Sequence, residues 1–116
     1  MDDAHLIRLN HMLDAAREAL SFAEGRKRHD LDGDRMLVLA LTKEVEIIGE
    51  AATNISKAFQ DQTPHIPWAA IIGMRNRLIH AYFEVDRDRV WETVIVALPP
   101  LIQQLETLLD PPDDEN

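Results

Sequence analysis

Between residues 75 and 82 the chain sets an arginine, an amide, a second arginine, an imidazole and a phenol within eight residues: Arg75, Asn76, Arg77, His80 and Tyr82. This set suits an anionic substrate, and the chemistry it fits is metal-independent cleavage of RNA. His80 could take the proton from a ribose 2′-hydroxyl or protonate the leaving 5′-oxygen, because an ordinary histidine titrates near ~6.5. Arg75 could stabilise charge building on the phosphoryl oxygens, its planar fork contacting two of them. Asn76 could hold the imidazole tautomer or bond a phosphate oxygen, and Arg77 adds a guanidinium for substrate binding. The expected product carries a 2′,3′-cyclic phosphate. One histidine per chain is thin for acid and base together, and a dimer would bring two. On spacing alone the same residues also fit a surface pair or a satisfied buried network, and Tyr82 fits a core or interface aromatic.

A helix over residues 67–81 must position this set. One line at helical spacing runs Trp68, Ile71, Arg75, Leu78, Tyr82, so Arg75 interrupts an apolar stripe, where a guanidinium needs a partner or a cleft. Another runs Ala69, Gly73, Asn76, His80, small residues leading into polar ones. Asn76 and His80 share a face. Arg75 and His80, five apart, stand roughly 140° round the cylinder. Either the helix ends near His80, or the reach of arginine closes the gap, or two chains contribute.

The remaining chain reads as helical scaffold. Residues 2–24 carry one seam, Leu6, Leu9, Leu13, Ala16, Leu20 and Ala23, at alternating steps of three and four. Gly25 suits the end of that helix, and Asp32 or Asp34 suits the cap of the next. Residues 35–60 read as the longest helix, with the seam Leu37, Leu41, Val45, Ile48, Ala52, Ile55 and Phe59. Glu46, Glu50 and Asn54 read as its solvated face, Glu44 as an edge charge, and Gly49 as a point of close approach. Pro64 and Pro67 bound a loop over 61–67. Asp86 suits an N-cap, and residues 87–109 form a last helical region that Pro99 and Pro100 must kink or split. Nothing alternates with period two. The fold class is all-α: an antiparallel bundle of four helices, or five if the last splits. It forms one domain over residues 1–110, followed by an acidic flexible tail over 111–116. Apolar residues beside the main seams (Ile47 and Ala51, then Trp91, Ile95, Leu98 and Ile102) suggest a homodimer through helices.

Composition limits the classes of function. Apolar residues are 46% of the chain, as in a globular domain. No run reaches the roughly 18 apolar residues of a membrane span, and the acidic start lacks the apolar core of a signal peptide; the expected location is the cytoplasm. With no cysteine, disulfides and thiolate metal sites are excluded, and His5, His11, His29 and His65 read as surface residues without metal-ligand spacing. A net charge of −9 argues against general nucleic-acid binding and favours a narrow cleft. No phosphate-cradling glycine loop, zinc-protease helix or nucleophile elbow is present.

At the central set the sequence resembles HepT-like toxins of the HEPN superfamily. Arg75, four residues, His80, one residue and Tyr82 match the Arg-x4-His-x-Tyr signature, and Asn76 matches the polar residue that follows the arginine. The likeness extends through Ile47-Ile48-Gly49-Glu50-Ala51, through Ile66-Pro67-Trp68, and from Val85-Asp86 to Val90-Trp91, covering roughly residues 5–109. The resemblance implies an all-α homodimer with the two Arg/His motifs meeting in a cleft at the interface. It implies a ribonuclease toxin of a prokaryotic toxin–antitoxin pair. Its partner would be a minimal nucleotidyltransferase of the MntA-like kind, which silences the toxin by transferring AMP from ATP onto Tyr82. No cofactor and no metal are expected. Bulk and negative charge beside His80 would block phosphate entry, and a dimer cleft at a helix end eases the angular conflict between Arg75 and His80. The alternative is a non-catalytic helical module that binds nucleotide or docks on the nucleotidyltransferase through the same cleft.

Overall fold

The computed structural model describes residues 2–79 and 84–110. Helix α1 spans Asp3–Ala23, α2 Asp30–Gly33, α3 Arg35–Thr53, α4 Lys57–Gln62 and α5 Trp68–Leu78. The last helical region consists of α6, Arg87–Glu92, a π-helical segment, Thr93–Ala97, and α7, Leu98–Leu109. Among the described residues no strand forms beyond an isolated antiparallel bridge between Ile79 and Val85. The residues expected to form the acidic tail, 111–116, lie outside the described residues, as do His80 and Tyr82.

The long helices run antiparallel. Arg26, just past α1, bonds Asp34 at the start of α3, and His5 near the start of α1 accepts from the Ser56 N–H just past α3. Helix α5 crosses α3 in the opposite sense, with Arg75 at Glu46 and Ile72 at Gly49. Helix α7 returns along α1, where Arg17 pairs with Glu106 at 2.7 Å. The core lies between these elements: Leu9, Met12 and Ala16 of α1, Leu41, Val45 and Ile48 of α3, Ile71 and Leu78 of α5, and Leu98 and Leu105 of α7 are almost fully buried. Each large aliphatic side chain so placed is worth about 1.5–3 kcal/mol relative to exposure.

Local chemistry sets the ends. Asp2, Asp34, Ser56 and Asp86 each accept a backbone N–H within the first turn of their helix, satisfying donors that have no partner inside it. Gly25 takes φ 75°, a left-handed conformation that turns the chain away from α1. Within the basic run after α1, Arg28 bonds both Asp32 and Asp88 and so ties α2 to the first turn of α6.

Four expectations change. The helix expected over 35–60 is two helices: Asn54 closes α3, and the Ser56 hydroxyl caps α4 by accepting the Phe59 N–H at 3.2 Å. This leaves α1, with 21 residues, longer than α3, with 19. The last region does split, but the irregularity precedes the prolines. Pro99 and Pro100 sit in the first turn of α7, where a missing N–H costs least. Their rings crowd the carbonyls of Ile95 and Val96 one turn back, and there the helix widens to π geometry. Glu44, expected at an edge, is only 4% exposed. The apolar surplus is partly absorbed within one chain, since Ala51 and Leu98 are buried and Ile47, Trp91 and Ile102 half-buried; Ile95 remains 40% exposed.

Candidate active site

Helix α5 is held at both ends. At its start the Trp68 indole N–H donates to Thr63 Oγ1 at 3.0 Å, and that hydroxyl donates to the Phe59 carbonyl. The Trp68 and Phe59 rings meet edge to face, with centroids 6.4 Å apart. Both polar atoms are satisfied where burial would otherwise make them costly. Along the helix Trp68, Ile71, Met74 and Leu78 face the core. Met74, not Arg75, continues the stripe between Ile71 and Leu78, so Arg75 sits on its flank and emerges at the surface. At the far end Ile79 is extended, with φ −115° and ψ 122°. It bridges to Val85, and the Asp86 N–H donates to the Leu78 carbonyl at 2.7 Å. The helix therefore stops before His80, and the angle of roughly 140° between positions 75 and 80 on a continuous helix does not apply.

Arg75 meets α3. Its Nε donates to Glu46 Oε2 at 3.1 Å, while Glu46 Oε1 lies 3.9 Å from Lys43 Nζ. The arginine side chain is 47% exposed and that of Glu46 28%. An ion pair this accessible contributes only ~0.2–1 kcal/mol to stability. Its consequence is orientation: Glu46 engages the Nε edge, and among the described residues Nη1 and Nη2 have no partner. A two-pronged donor is thus held beside a groove of about 200 Å³ lined by Arg75, Asn76, Ile72 and, on α3, Glu46, Gly49, Glu50 and Thr53. Gly49 is where the two helices meet. A Cβ built there would lie 3.5 Å from the Ile71 carbonyl oxygen and 3.6 Å from that of Ile72, ordinary contact distances.

The expected site residues thus fall into three groups. Arg75 and Asn76 line one groove. Arg77 lies on the other side of α5; its Nη2 donates to the Ala70 carbonyl at 2.6 Å, and it lines a groove with Arg89 and Glu92. His80 and Tyr82 lie outside the described residues. Glu46, read from the sequence as solvated, is the residue that reasoning missed. Its partner is 29 positions away, and the local pattern shows only the companion Lys43. Among the described residues no group of three or more histidines, cysteines or carboxylates is placed to hold a metal ion, and no helix is long and apolar enough to cross a membrane.

A pair of acids joins α1 and α3, with Glu44 buried and Glu18 exposed. Burial pushes the Glu44 carboxyl up to about 7, helped by a hydrogen bond with Glu18 of α1 and by that neighbour's charge. The neutral Glu44 carboxyl can donate to Glu18, whereas its ionisation sets two carboxylates against each other.

Residues 12–108 match the family described as Ribonuclease HepT-like. The chain is 36% identical over 101 residues to "Putative RNase TTE0752" of Caldanaerobacter subterraneus subsp. tengcongensis, covering 87% of this chain and 90% of that protein. It is 31% identical over 98 residues to "Putative RNase MJ1380" of Methanocaldococcus jannaschii, covering 84% and 90% respectively. Over 75 residues it is 43% identical to "Probable ribonuclease HepT" of Thermococcus cleftensis, covering 65% of this chain and 68% of that protein. No solved structure matches. The family match spans α3 and α5 and most of the helices that pack on them, and with these relatives it establishes that the chain belongs to the HepT-like ribonuclease family of the HEPN superfamily.

Proposed function

We propose that this chain is a metal-independent endoribonuclease that serves as the toxin of a cytoplasmic toxin–antitoxin pair. Arg75 and His80 are its catalytic residues and Asn76 assists, whereas Arg77, on the other side of α5, is given no part in the reaction. The reading rests above all on one observation: Glu46 engages the Nε edge of Arg75, and the two residues line one groove with Asn76. The names of the relatives support RNA as the substrate.

In the reaction the 2′-oxygen of a ribose attacks the adjacent phosphorus while the bond from phosphorus to the 5′-oxygen breaks. One imidazole takes the 2′-hydroxyl proton and an imidazolium protonates the departing 5′-oxygen, giving a 2′,3′-cyclic phosphate and a free 5′-hydroxyl. Arg75 carries the charge that develops on the non-bridging oxygens. A homodimer, with its two motifs in one cleft, supplies both histidines. The antitoxin is a minimal nucleotidyltransferase that transfers AMP from ATP onto Tyr82, putting a phosphate charge where the substrate phosphate must enter.

The reading is tested by expression in a bacterial host. Wild type arrests growth, His80→Ala and Arg75→Ala do not, and both variants remain folded and keep the assembly state of wild type. Absence of arrest by unmodified wild type, together with absence of RNA cleavage in vitro, would leave the cleft as a binding surface for nucleotide or for the nucleotidyltransferase.

A further inference from the structure

A groove on the other side of Glu50 lies outside the chemistry at Arg75. It lies between α1 and α3 and measures about 580 Å³, within the ~300–1,000 Å³ usual for small-ligand sites. Its floor is apolar, built from Ile47, Ala51 and Ile7, and Ile7 is 57% exposed. Its rim carries Arg8, His11 and Lys43 against a single acidic side chain, Glu50. In a chain of net charge −9 this is a local reversal of sign. Arg8 is anchored by its own helix, with Nη1 donating to the Ala4 carbonyl at 3.2 Å. Two features join this groove to the site. Glu50 lines both grooves, so they neighbour each other on either side of that residue on α3. Lys43 also lies beside Glu46, whose other carboxylate oxygen holds Arg75.

We propose that this groove is a nucleotide subsite of the ribonuclease: it receives a base of the RNA strand on Ile7, Ile47 and Ala51 and a phosphate at Arg8, His11 and Lys43, next to the phosphate held by Arg75. The assignment rests on the ribonuclease reading. An apolar floor inside a cationic rim matches the two halves of a nucleotide, a base with an apolar face and an anionic phosphate. A free inorganic anion would leave the floor unused, and an apolar peptide would leave the three basic groups unused. The two grooves, neighbours at Glu50, give a strand a path from Arg75 over α3 to α1. It also gives an acidic protein a way to hold RNA, by keeping its positive charge in a narrow track instead of a broad field.

The test uses α1 alone, because Arg8, His11 and Ile7 line this groove and not the one that Glu46 and Arg75 line. Binding of a single-stranded oligoribonucleotide is measured over a salt series in a His80→Ala background that leaves the RNA uncut, and kcat and KM are measured with His80 intact. Arg8→Gln combined with His11→Gln is expected to raise Kd and KM about tenfold with kcat unchanged. It is also expected to lower the slope of log affinity against log salt by ~0.7 for each phosphate that the protein no longer neutralises. Ile7→Ala is expected to raise Kd with the slope unchanged, which separates the floor from the rim. Unaltered Kd, KM and slope, in a protein that cleaves RNA and loses cleavage with Arg75→Ala, would overturn the subsite and leave the ribonuclease reading standing. Unaltered RNA binding with a changed sedimentation coefficient would make the groove a face between copies of the chain, and unaltered RNA binding with loss of the nucleotidyltransferase would make it that protein's dock. Wild type that neither binds nor cleaves RNA would overturn both readings.

Discussion

At pH 8 the folded chain holds the carboxylates of Glu44 and Glu18 against each other, with Glu44 almost wholly buried. Replacing Glu44 with glutamine removes one charge and keeps an amide N–H to donate to Glu18. In the unfolded chain Glu44 titrates near its ordinary 4.5, and in the fold near 7. Between those values the folded state holds a proton that the unfolded state has released. The stability owed to this group therefore falls as pH rises from 4.5 to about 7 and is level above that. At ~1.36 kcal/mol per pH unit the full displacement amounts to about 3 kcal/mol. Glu18 is exposed, and water around it screens part of the repulsion, so the expected gain for Glu44→Gln at pH 8 is about 2 kcal/mol. Asp32, held down chiefly by its hydrogen bond from Arg28, and Asp34, held down chiefly by the Leu37 N–H, titrate below this window and do not mask it. Urea unfolding at pH 5 and pH 8, at one fixed protein concentration, reads the effect. With m on the order of 1–3 kcal/mol/M, the midpoint of the variant at pH 8 rises by about 1 M. A variant no more stable than wild type at pH 8, or one that keeps the wild-type decline between pH 5 and pH 8, would refute a raised, buried Glu44.

Two further substitutions probe the meeting of α3 and α5. Glu46→Ala is expected to lower kcat for RNA cleavage about 10- to 100-fold, or ~1.4–2.7 kcal/mol of barrier, with Tm nearly unchanged because the pair it removes is largely exposed. Steady-state kinetics beside thermal melts check this, and a Tm loss matching the loss of rate would make Glu46 structural. Gly49→Ala is expected to leave Tm unchanged or raise it: the added Cβ meets the α5 carbonyls only at ordinary distances and the helix gains up to ~1 kcal/mol in propensity. A clear drop in Tm would show that the helices pack more closely there than these distances allow.

Periodicity reveals the helices because their buried faces repeat. Leu9, Leu13 and Ala16 in α1 and Leu41, Val45 and Ile48 in α3 are core residues at the spacings their sequence shows. Two features escape it. The break at Asn54–Ser56 leaves the apolar pattern intact, since Ile55 is itself buried; only the Ser56 cap marks it, and serine also occurs inside helices. The two glutamates, Glu44 and Glu46, look alike locally, yet one is buried against Glu18 and the other holds Arg75, in each case through a partner on another helix. The types and spacing at Arg75 and Asn76 disclosed candidate chemistry, whereas the carboxylate that orients the arginine becomes visible only when α3 and α5 are set side by side.

The most direct test of the account is cleavage of RNA by purified protein in excess EDTA, wild type beside His80→Ala, after intact mass has established that Tyr82 is unmodified. The account predicts cleavage by wild type alone, leaving 2′,3′-cyclic phosphate and 5′-hydroxyl ends. Intact RNA from unmodified wild type across tRNA, mRNA and rRNA substrates, or equal cleavage by His80→Ala, would contradict it.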